Sequence, residues 1–125
     1  MFKVNEDMSI YVTRGDAITL TVKAIEGDGF YQFRVDDHLR FKVFGKKNCS
    51  NVVLDKEIIV AETTDEVDIV LTEEDTKFGD VISKPTDYWY EVELNTDSQP
   101  QTIIGYDEDG AKLFRLYPEG GDVNE

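Results

Sequence analysis

The sequence contains one histidine, His38, and one cysteine, Cys49, residue types that can act as a general base and a nucleophile. A serine-histidine-aspartate site also needs a positioned serine, and no Gly-x-Ser-x-Gly stretch is present. A single cysteine cannot form a disulfide within the chain or a multi-cysteine metal site. His38 has no partner at metal-ligand spacing. We therefore predict a protein that is not an enzyme and that has no cofactor and no metal.

Acidic residues form clusters at Asp28, 36–37, 73–75 and 107–109. Loop carboxylates bind hard cations, but the twelve-residue calcium loop with ligands at alternating positions is absent. Paired carboxylates can also hydrolyse a glycosidic bond. Because 27 of the 125 residues are acidic, such clusters are expected by chance. Calcium binding and carboxylate-based hydrolysis stay open as minor alternatives.

The tripeptide Arg14-Gly15-Asp16 matches a sequence that some cell-adhesion receptors bind. Three-residue strings arise easily by chance, and Gly-Asp before a strand is ordinary turn chemistry. We interpret these residues as a structural turn. Asp16 is expected to accept backbone N–H bonds, and Arg14 is expected to pair with a neighbouring carboxylate.

Trp89 lies in the clearest strand pattern, 87–94, and faces the opposite way from Tyr88 and Tyr90 because strand side chains alternate. An exposed tryptophan is a typical anchor of a protein interface. It can equally stack on a sugar ring or lie under a loop. Three further aromatic residues are interface candidates: Phe30, Tyr31 and Tyr117.

These residues must be positioned by β-strands, because apolar and polar residues alternate along most of the chain. The predicted strands are, in order, about 9–13, 17–25, 39–43, 52–60, 67–71, 87–94, 101–106 and 111–117. The facing of 52–60 is ambiguous, and the last two strands are predicted to form a hairpin across 107–110. One short helical turn is predicted near 72–78, capped by Thr72. Seven or eight short strands predict an antiparallel β-sandwich.

The length fits one domain, which we place at 1–117, followed by an acidic tail at 118–125 that is expected to be flexible. The net charge of −14 repels phosphate, so we expect neither nucleic acid nor an anionic membrane as a partner. No apolar run has the length of a signal peptide or a membrane span. The expected compartment is a reducing cytoplasm.

Several segments, taken in order, resemble a family of phage proteins. They are 13–16 with the alternating strand that follows, 35–37 with 39–41, 55–57, 69–72 with 75–76, 87–90 with 92 and 94, 101–104, and 114–118. This pattern resembles the N-terminal domain of the baseplate upper protein of phages that infect Gram-positive bacteria, over roughly residues 8–118. The family often has Gly-Asp where this chain has Asp36-Asp37. Its members continue into a linker and a receptor-binding or scaffolding region, so we expect the attachment module without that arm.

The resemblance implies an immunoglobulin-like β-sandwich that is a non-enzymatic virion structural protein. Its role would be that of a tail or baseplate adaptor module, which binds neighbouring subunits. The implied partners are other virion proteins in a multi-copy assembly. The implied location is the virion, after assembly in the cytoplasm of the host bacterium. The alternative is a carbohydrate-binding module that recognises host surface glycans through aromatic side chains and loop acids.

Overall fold

The computed structural model describes residues 2–95, 100–104 and 110–119. These residues form eleven strands and no helix, which confirms the predicted all-β class. The strands are β1 (Phe2–Val4), β2 (Ile10–Thr13), β3 (Ile18–Val22), β4 (Ile25–Glu26), β5 (Gly29–Phe30), β6 (His38–Phe44), β7 (Val52–Ile59), β8 (Val67–Leu71), β9 (Thr86–Asn95), β10 (Pro100–Ile104) and β11 (Lys112–Tyr117). The acidic tail predicted at 118–125 lies outside the described residues from residue 120 onwards.

Two sheets of unequal size make the fold. The larger sheet has seven strands in the order β1-β2-β11-β9-β6-β7, with β10 also paired to β9. The smaller sheet consists of β3 and β8, and β4 and β5 form a separate hairpin. The result is a two-layer, sandwich-like protein.

A single hydrophobic core lies between the two sheets. The smaller sheet contributes Ile18, Leu20, Val22, Val67, Ile69 and Leu71, which are the inward residues of its alternating strands. Three aromatic rings lie in the part that comes from the larger sheet. The rings of Phe41 and Tyr90 stack with centroids 5.4 Å apart, and Phe114 meets Phe41 edge-on at 6.2 Å. Each buried side chain of this size stabilises the fold by roughly 1.5–3 kcal/mol.

The larger sheet is mixed, so the prediction of a purely antiparallel sandwich was wrong. Strand β11 pairs in parallel with β2, with Phe114 opposite Ile10 and Leu116 opposite Val12. Antiparallel neighbours need only a tight turn, whereas a parallel pair needs a long connection. Here almost the whole chain forms that connection. Alternation of side chains carries no information about such a distant partner.

The prediction of a hairpin between 101–106 and 111–117 was also wrong. Strand β10 pairs with the second half of β9, and β11 pairs with its first half. The two segments therefore follow each other along one edge of the same ten-residue strand. The predicted turn at 107–110 lies mainly outside the described residues.

Residues 72–78 do not form the predicted helical turn; they form hydrogen-bonded turns instead. Thr72 and Asp75 bond reciprocally: the Asp75 N–H donates to Thr72 Oγ1 at 3.2 Å, and the Thr72 N–H donates to Asp75 Oδ2 at 2.9 Å. Lys56 Nζ also donates to Asp75 Oδ2, at 2.7 Å. The acidic residues therefore cap a turn that is tied to β7, and no helix follows.

The strands depart most from the prediction in the first thirty residues. The strand predicted at 17–25 ends at Val22, and residues 25–26 pair with 29–30 in the hairpin β4–β5. The short strand β1 was not predicted, because three residues are too few to show alternation. It pairs with β2 in antiparallel fashion.

The ambiguous facing of β7 is settled by its register with β6. Lys56 lies opposite the fully buried Phe41 and therefore points towards the core side, where it reaches Asp75. The register shifts between Val43 and Phe44, which makes Val53 an extra residue in β7. An inward charge and a bulge are both features that keep an edge strand from pairing with another chain.

Candidate functional site

Trp89 lies on the outer face of the larger sheet, away from the core residues Tyr90 and Val92 of the same strand. Leu113 of β11 lies directly opposite it on one side, and Phe44 of β6 on the other. The indole is half-buried, and Phe44 beside it is almost fully buried although it is not part of the central core. A second, small apolar cluster therefore lies on this outer face.

An open pocket of about 220 Å³ surrounds the exposed side of Trp89. Residues from four separate parts of the chain line it: Asp7, Ser9, Lys47, Trp89, Ala111, Lys112 and Leu113. The indole and Leu113 supply apolar surface, and two lysines supply positive charge. In a chain with net charge −14, two ammonium groups beside an aromatic ring form a locally distinct surface.

The carboxylate of Asp7 is held in place by Ser9. Ser9 Oγ donates to Asp7 Oδ1 at 2.6 Å, and the Ser9 N–H donates to the same oxygen at 3.0 Å. These two hydrogen bonds lower the pKa of Asp7, and the bond from the Ser9 side chain has the larger effect. The charge of Lys112 lowers this pKa further. The pocket therefore presents one fixed carboxylate as well as the two lysines.

Residues around the pocket are also fixed by the core. The Tyr90 hydroxyl donates to the Met8 carbonyl at 2.6 Å, across 82 residues of sequence. Met8 has a φ of 72°, in the left-handed region that favours glycine. Burial raises the pKa of Tyr90, so its hydroxyl keeps its proton and remains a donor. The turn that carries Asp7 is therefore anchored to the middle of β9.

The candidates Phe30 and Tyr31 lie elsewhere, at the β4–β5 hairpin. Phe30 is 52% exposed, and the Lys23 ammonium lies 4.8 Å from its ring centroid. Tyr31 is less accessible, because its hydroxyl donates to Asp37 Oδ2 at 2.8 Å and its ring packs edge-on against Phe33. Phe30 is the more available of the two for a partner.

Tyr117 shares the outer face of the larger sheet with Trp89, but lies four residues beyond Leu113 along β11. Its ring meets Tyr11 edge-on at 5.8 Å, and the guanidinium of Arg115 lies 5.4 Å from the centroid of Tyr11. The structure therefore separates the four aromatic candidates into two groups. Trp89 and Tyr117 belong to the larger sheet, and Phe30 and Tyr31 belong to the hairpin.

The Arg14-Gly15-Asp16 segment is a turn whose arginine faces inwards. Arg14 is only 8% exposed, and its Nη2 donates to the carbonyls of Lys77 at 3.1 Å and Gly79 at 3.2 Å. Its Nη1 lies 3.8 Å from Glu119 Oε1. The Gly15 N–H donates to Thr76 Oγ1 at 3.0 Å. A receptor in solution would therefore not have access to the guanidinium, which is buried and hydrogen-bonded within the fold.

Both the available space and the backbone conformation require glycine at position 15. Its φ is 88°, and a Cβ at this position would lie 2.5 Å from Glu119 Oε1 and 3.1 Å from Lys77 Cε. No other residue type fits there without a shift of the surrounding side chains.

His38 and Cys49 have neighbours that do not suit catalysis. His38 Nδ1 lies 3.1 Å from Glu57 Oε2 on the outer face of the sheet, so its neighbour is a carboxylate of β7. Burial, and then the nearby carboxylate of Glu91, raise the pKa of Cys49. A raised pKa lowers the thiolate fraction, and the thiolate is the reactive form.

Two of the acidic residues that suggested calcium, Asp37 and Asp75, have structural partners. Asp37 is buried and accepts hydrogen bonds from Tyr31 Oη and from the Arg34 N–H, and Asp75 is bound to Lys56. Across residues 2–95, 100–104 and 110–119, no group of three or more His, Cys, Asp or Glu side chains is placed to hold a metal ion. Residues 107–109 lie outside this part of the chain. The same described residues include no helix with the length and apolarity that a membrane crossing requires.

The pocket residues other than Trp89 were not predicted from the sequence. Lys47 comes from the loop between β6 and β7, Lys112 from the start of β11, and Asp7 from the turn between β1 and β2. The pairing of β11 with β2 and β9, together with that of β9 with β6, brings these three residues together, and no local sequence pattern indicates these pairings.

Comparison with known proteins gives no assignment for this chain. No protein-family model matches the sequence, no curated protein matches it, and no solved structure matches the fold.

Proposed function

We propose that the chain is a non-enzymatic structural protein of a phage or prophage particle, a tail or baseplate adaptor that binds neighbouring subunits. The ordered resemblance over residues 8–118 supports the family. The observation that supports the adaptor role best is the smaller sheet, which has only two strands. Among the described residues, β3 and β8 pair with each other and with no other strand. Unpaired edges of this kind bind partners by strand addition.

We also propose that the sandwich is immunoglobulin-like. In that fold, strands G, F, C and C′ form one sheet, and strands B and E lie in the other. The order β11-β9-β6-β7 beside the pair β3-β8 has the same sequence of connections.

The proposed location is the virion, after assembly in the bacterial cytoplasm. The test is mass spectrometry of particles purified from the strain that encodes the chain. We expect the protein in several copies per particle, because adaptors repeat around a symmetry axis. Its absence from purified particles, with its presence in the cell lysate, would overturn the proposal.

Variants locate the contact surface in the same assay. Trp89→Ala and Phe30→Ala each remove one accessible aromatic side chain, and Val81→Ala is the control, because Val81 is an exposed apolar residue outside both aromatic groups. We expect reduced incorporation for at least one aromatic variant and unchanged incorporation for the control. Equal incorporation of all three would remove these aromatics from the interface.

A carbohydrate-binding function is the second candidate, and the pocket at Trp89 favours it. A half-buried indole with adjacent polar side chains is a suitable platform for a sugar ring, and Lys47 and Lys112 would favour a sugar that carries an acid group. Trp89 is the only tryptophan in the chain, so its fluorescence reports on this pocket alone. Titration with neutral and acidic saccharides of host surfaces tests it. Unchanged fluorescence and no heat in calorimetry at millimolar ligand would exclude this function.

A further inference from the structure

The free edge of β3 is an unprotected strand edge of the smaller sheet. Its residues are Ile18-Thr19-Leu20-Thr21-Val22, without charge and without proline. Ile18, Leu20 and Val22 are buried, and Thr19 and Thr21 are exposed on the outer face. One side of the strand pairs with β8, and no described residue pairs with the other side. Such an edge is a template for another strand.

Three other edges carry features that discourage pairing. Strand β7 has the bulge at Val53 and the inward charge of Lys56. Strand β8 carries Asp68 and is flanked by further acids, at 65–66 and 73–75. Strand β1 has only three residues. Protection at these three edges makes the lack of it at β3 informative, because bare neutral edges aggregate unless they are covered.

The sequence of β3 is self-complementary. When two copies of the strand run antiparallel about a twofold axis at Leu20, Ile18 lies opposite Val22 of the other copy. Thr19 then lies opposite Thr21 of the other copy. Apolar side chains meet apolar ones on the core face, and Thr meets Thr on the outer face, which are favourable cross-strand pairs.

Exposed apolar surface lies on the same side of the molecule. Strand β3 follows β2 after a four-residue turn, whereas β8 leads to Asp75, which is bonded to Lys56 of β7. The free edge of β3 therefore faces the β1 end of the larger sheet. There Phe2 and Val4 lie opposite the core residues Val12 and Ile10, yet they are 40% and 41% exposed.

We propose that two copies of this chain pair through β3 to form a dimer with a continuous four-stranded sheet, in the order β8-β3-β3-β8. A second copy fits better than an unrelated strand because the register is symmetric and the edge carries no charge for a charged partner to recognise. Twofold pairing is also the commonest closed symmetry of protein assemblies. Phe2 and Val4 at the end of the larger sheet provide apolar surface for the partner to cover.

The charge of the chain predicts how this dimer responds to salt. Each copy carries −14, so two copies repel at long range although the contact itself is neutral. Salt screens this repulsion over a Debye length of about 10 Å at 0.1 M. The dimer should therefore become tighter as the salt concentration rises, the opposite of a contact held by ion pairs.

Analytical ultracentrifugation of the whole chain, from micromolar to submillimolar protein and at low and high salt, tests the proposal. The double substitution Thr19→Lys with Thr21→Lys places two lysines opposite each other twice across the twofold axis. The matched variant, Thr19→Glu with Thr21→Lys, places Glu opposite Lys and leaves the net charge at the wild-type value. Both positions are exposed, and the lysine at position 21 faces Asp68 of its own chain in both variants. Val70→Lys, on the same face of β8, is the control for the other edge.

We expect a wild-type dimer, weakened about tenfold or more by the Lys-Lys variant and retained by the Glu-Lys variant and by Val70→Lys. A wild type that is monomeric at every concentration and salt would overturn the proposal. So would a dimer that the Lys-Lys variant leaves intact, or one that Val70→Lys disrupts instead. The result is independent of the particle assay. If the protein is a dimer but is absent from particles, only the adaptor role is refuted. If it is a monomer but is incorporated into particles, only the dimer is refuted.

Discussion

Replacement of the buried arginine of the Arg14-Gly15-Asp16 turn is the sharpest test of how this fold is held together. Arg14→Met keeps most of the aliphatic stem and removes the guanidinium. The lost groups are the two donors to the carbonyls of Lys77 and Gly79, at 3.1 and 3.2 Å. These bonds tie the turn before β3 to the connection that leads into β9, so their loss loosens the end of the sandwich where β3 begins and β8 ends.

The size of the effect follows from burial. A hydrogen bond that involves a charged group contributes roughly 1.5–3 kcal/mol, and here two are lost together. The ion pair with Glu119 adds little, because its atoms are 3.8 Å apart and Glu119 is partly exposed. We expect the free energy of unfolding to fall by about 3 kcal/mol, and the midpoint of thermal unfolding by about 10 °C. The free energy of unfolding of Arg14→Lys should lie between those of the wild type and Arg14→Met, because one ammonium group cannot reproduce the planar guanidinium of Arg14.

Urea unfolding followed by Trp89 fluorescence measures this loss, and Arg40→Met is the matched control. Arg40 also bonds a partner closely, with its Nε 2.9 Å from Asp55 Oδ1, but the two side chains are 40% and 39% exposed. An exposed pair of this kind contributes little to stability, because water screens the two charges. If Arg14→Met and Arg40→Met destabilised the protein equally, the structural role that we assign to the turn would be wrong.

Three further predictions concern stability. Asp36 has a φ of 75°, so Asp36→Gly should raise the free energy of unfolding by about 0.5 kcal/mol or more in urea titrations; a loss would show that the aspartate side chain matters more than its backbone. Tyr90→Phe should cost about 1 kcal/mol by loss of the bond to the Met8 carbonyl, and no change in thermal unfolding would contradict that bond. Burial alone would raise the pKa of Asp75, but the bonds from Lys56 and Thr72 outweigh it and lower the pKa below its usual 3.8. A folded-state pKa below the unfolded-state pKa contributes stability that is fully present above the unfolded-state pKa and is lost as the pH falls through the folded-state pKa. Lys56→Met should therefore lower stability at neutral pH and flatten its loss in acid, and an acid branch identical to the wild type would refute this.

The sequence predicts the positions of the strands well, but it predicts poorly which strands pair with each other. Alternation found β3, β6, β8 and β9 because each of them has one buried and one exposed face. The same alternation cannot say which strand lies beside which. It therefore missed the parallel pair β2–β11 and placed β10 beside the wrong strand. These errors have one physical cause: strand pairing depends on contacts between residues far apart in sequence.

The candidate surface was predictable to the same extent. Trp89 could be assigned to the outer face, because its neighbours Tyr88 and Tyr90 follow the inward pattern. Lys47 and Lys112 could not be assigned to it, because one lies in a loop and the other on a strand whose partners were unknown. The inward direction of Lys56 was equally hidden, because lysine on a core face is unfavourable unless a partner such as Asp75 meets it.

The parallel contact between β2 and β11 has a mechanical consequence. The chain enters β2 at one end of the sheet and leaves β11 at the opposite end, so tension applied to the two chain ends would slide these strands along each other. In that geometry, the backbone bonds between Ile10–Thr13 and Phe114–Tyr117 are loaded together in shear, whereas the β1–β2 hairpin would unzip one bond at a time. The first segment to give way under a pull should therefore be β1, and the body of the protein should resist until β2 and β11 part.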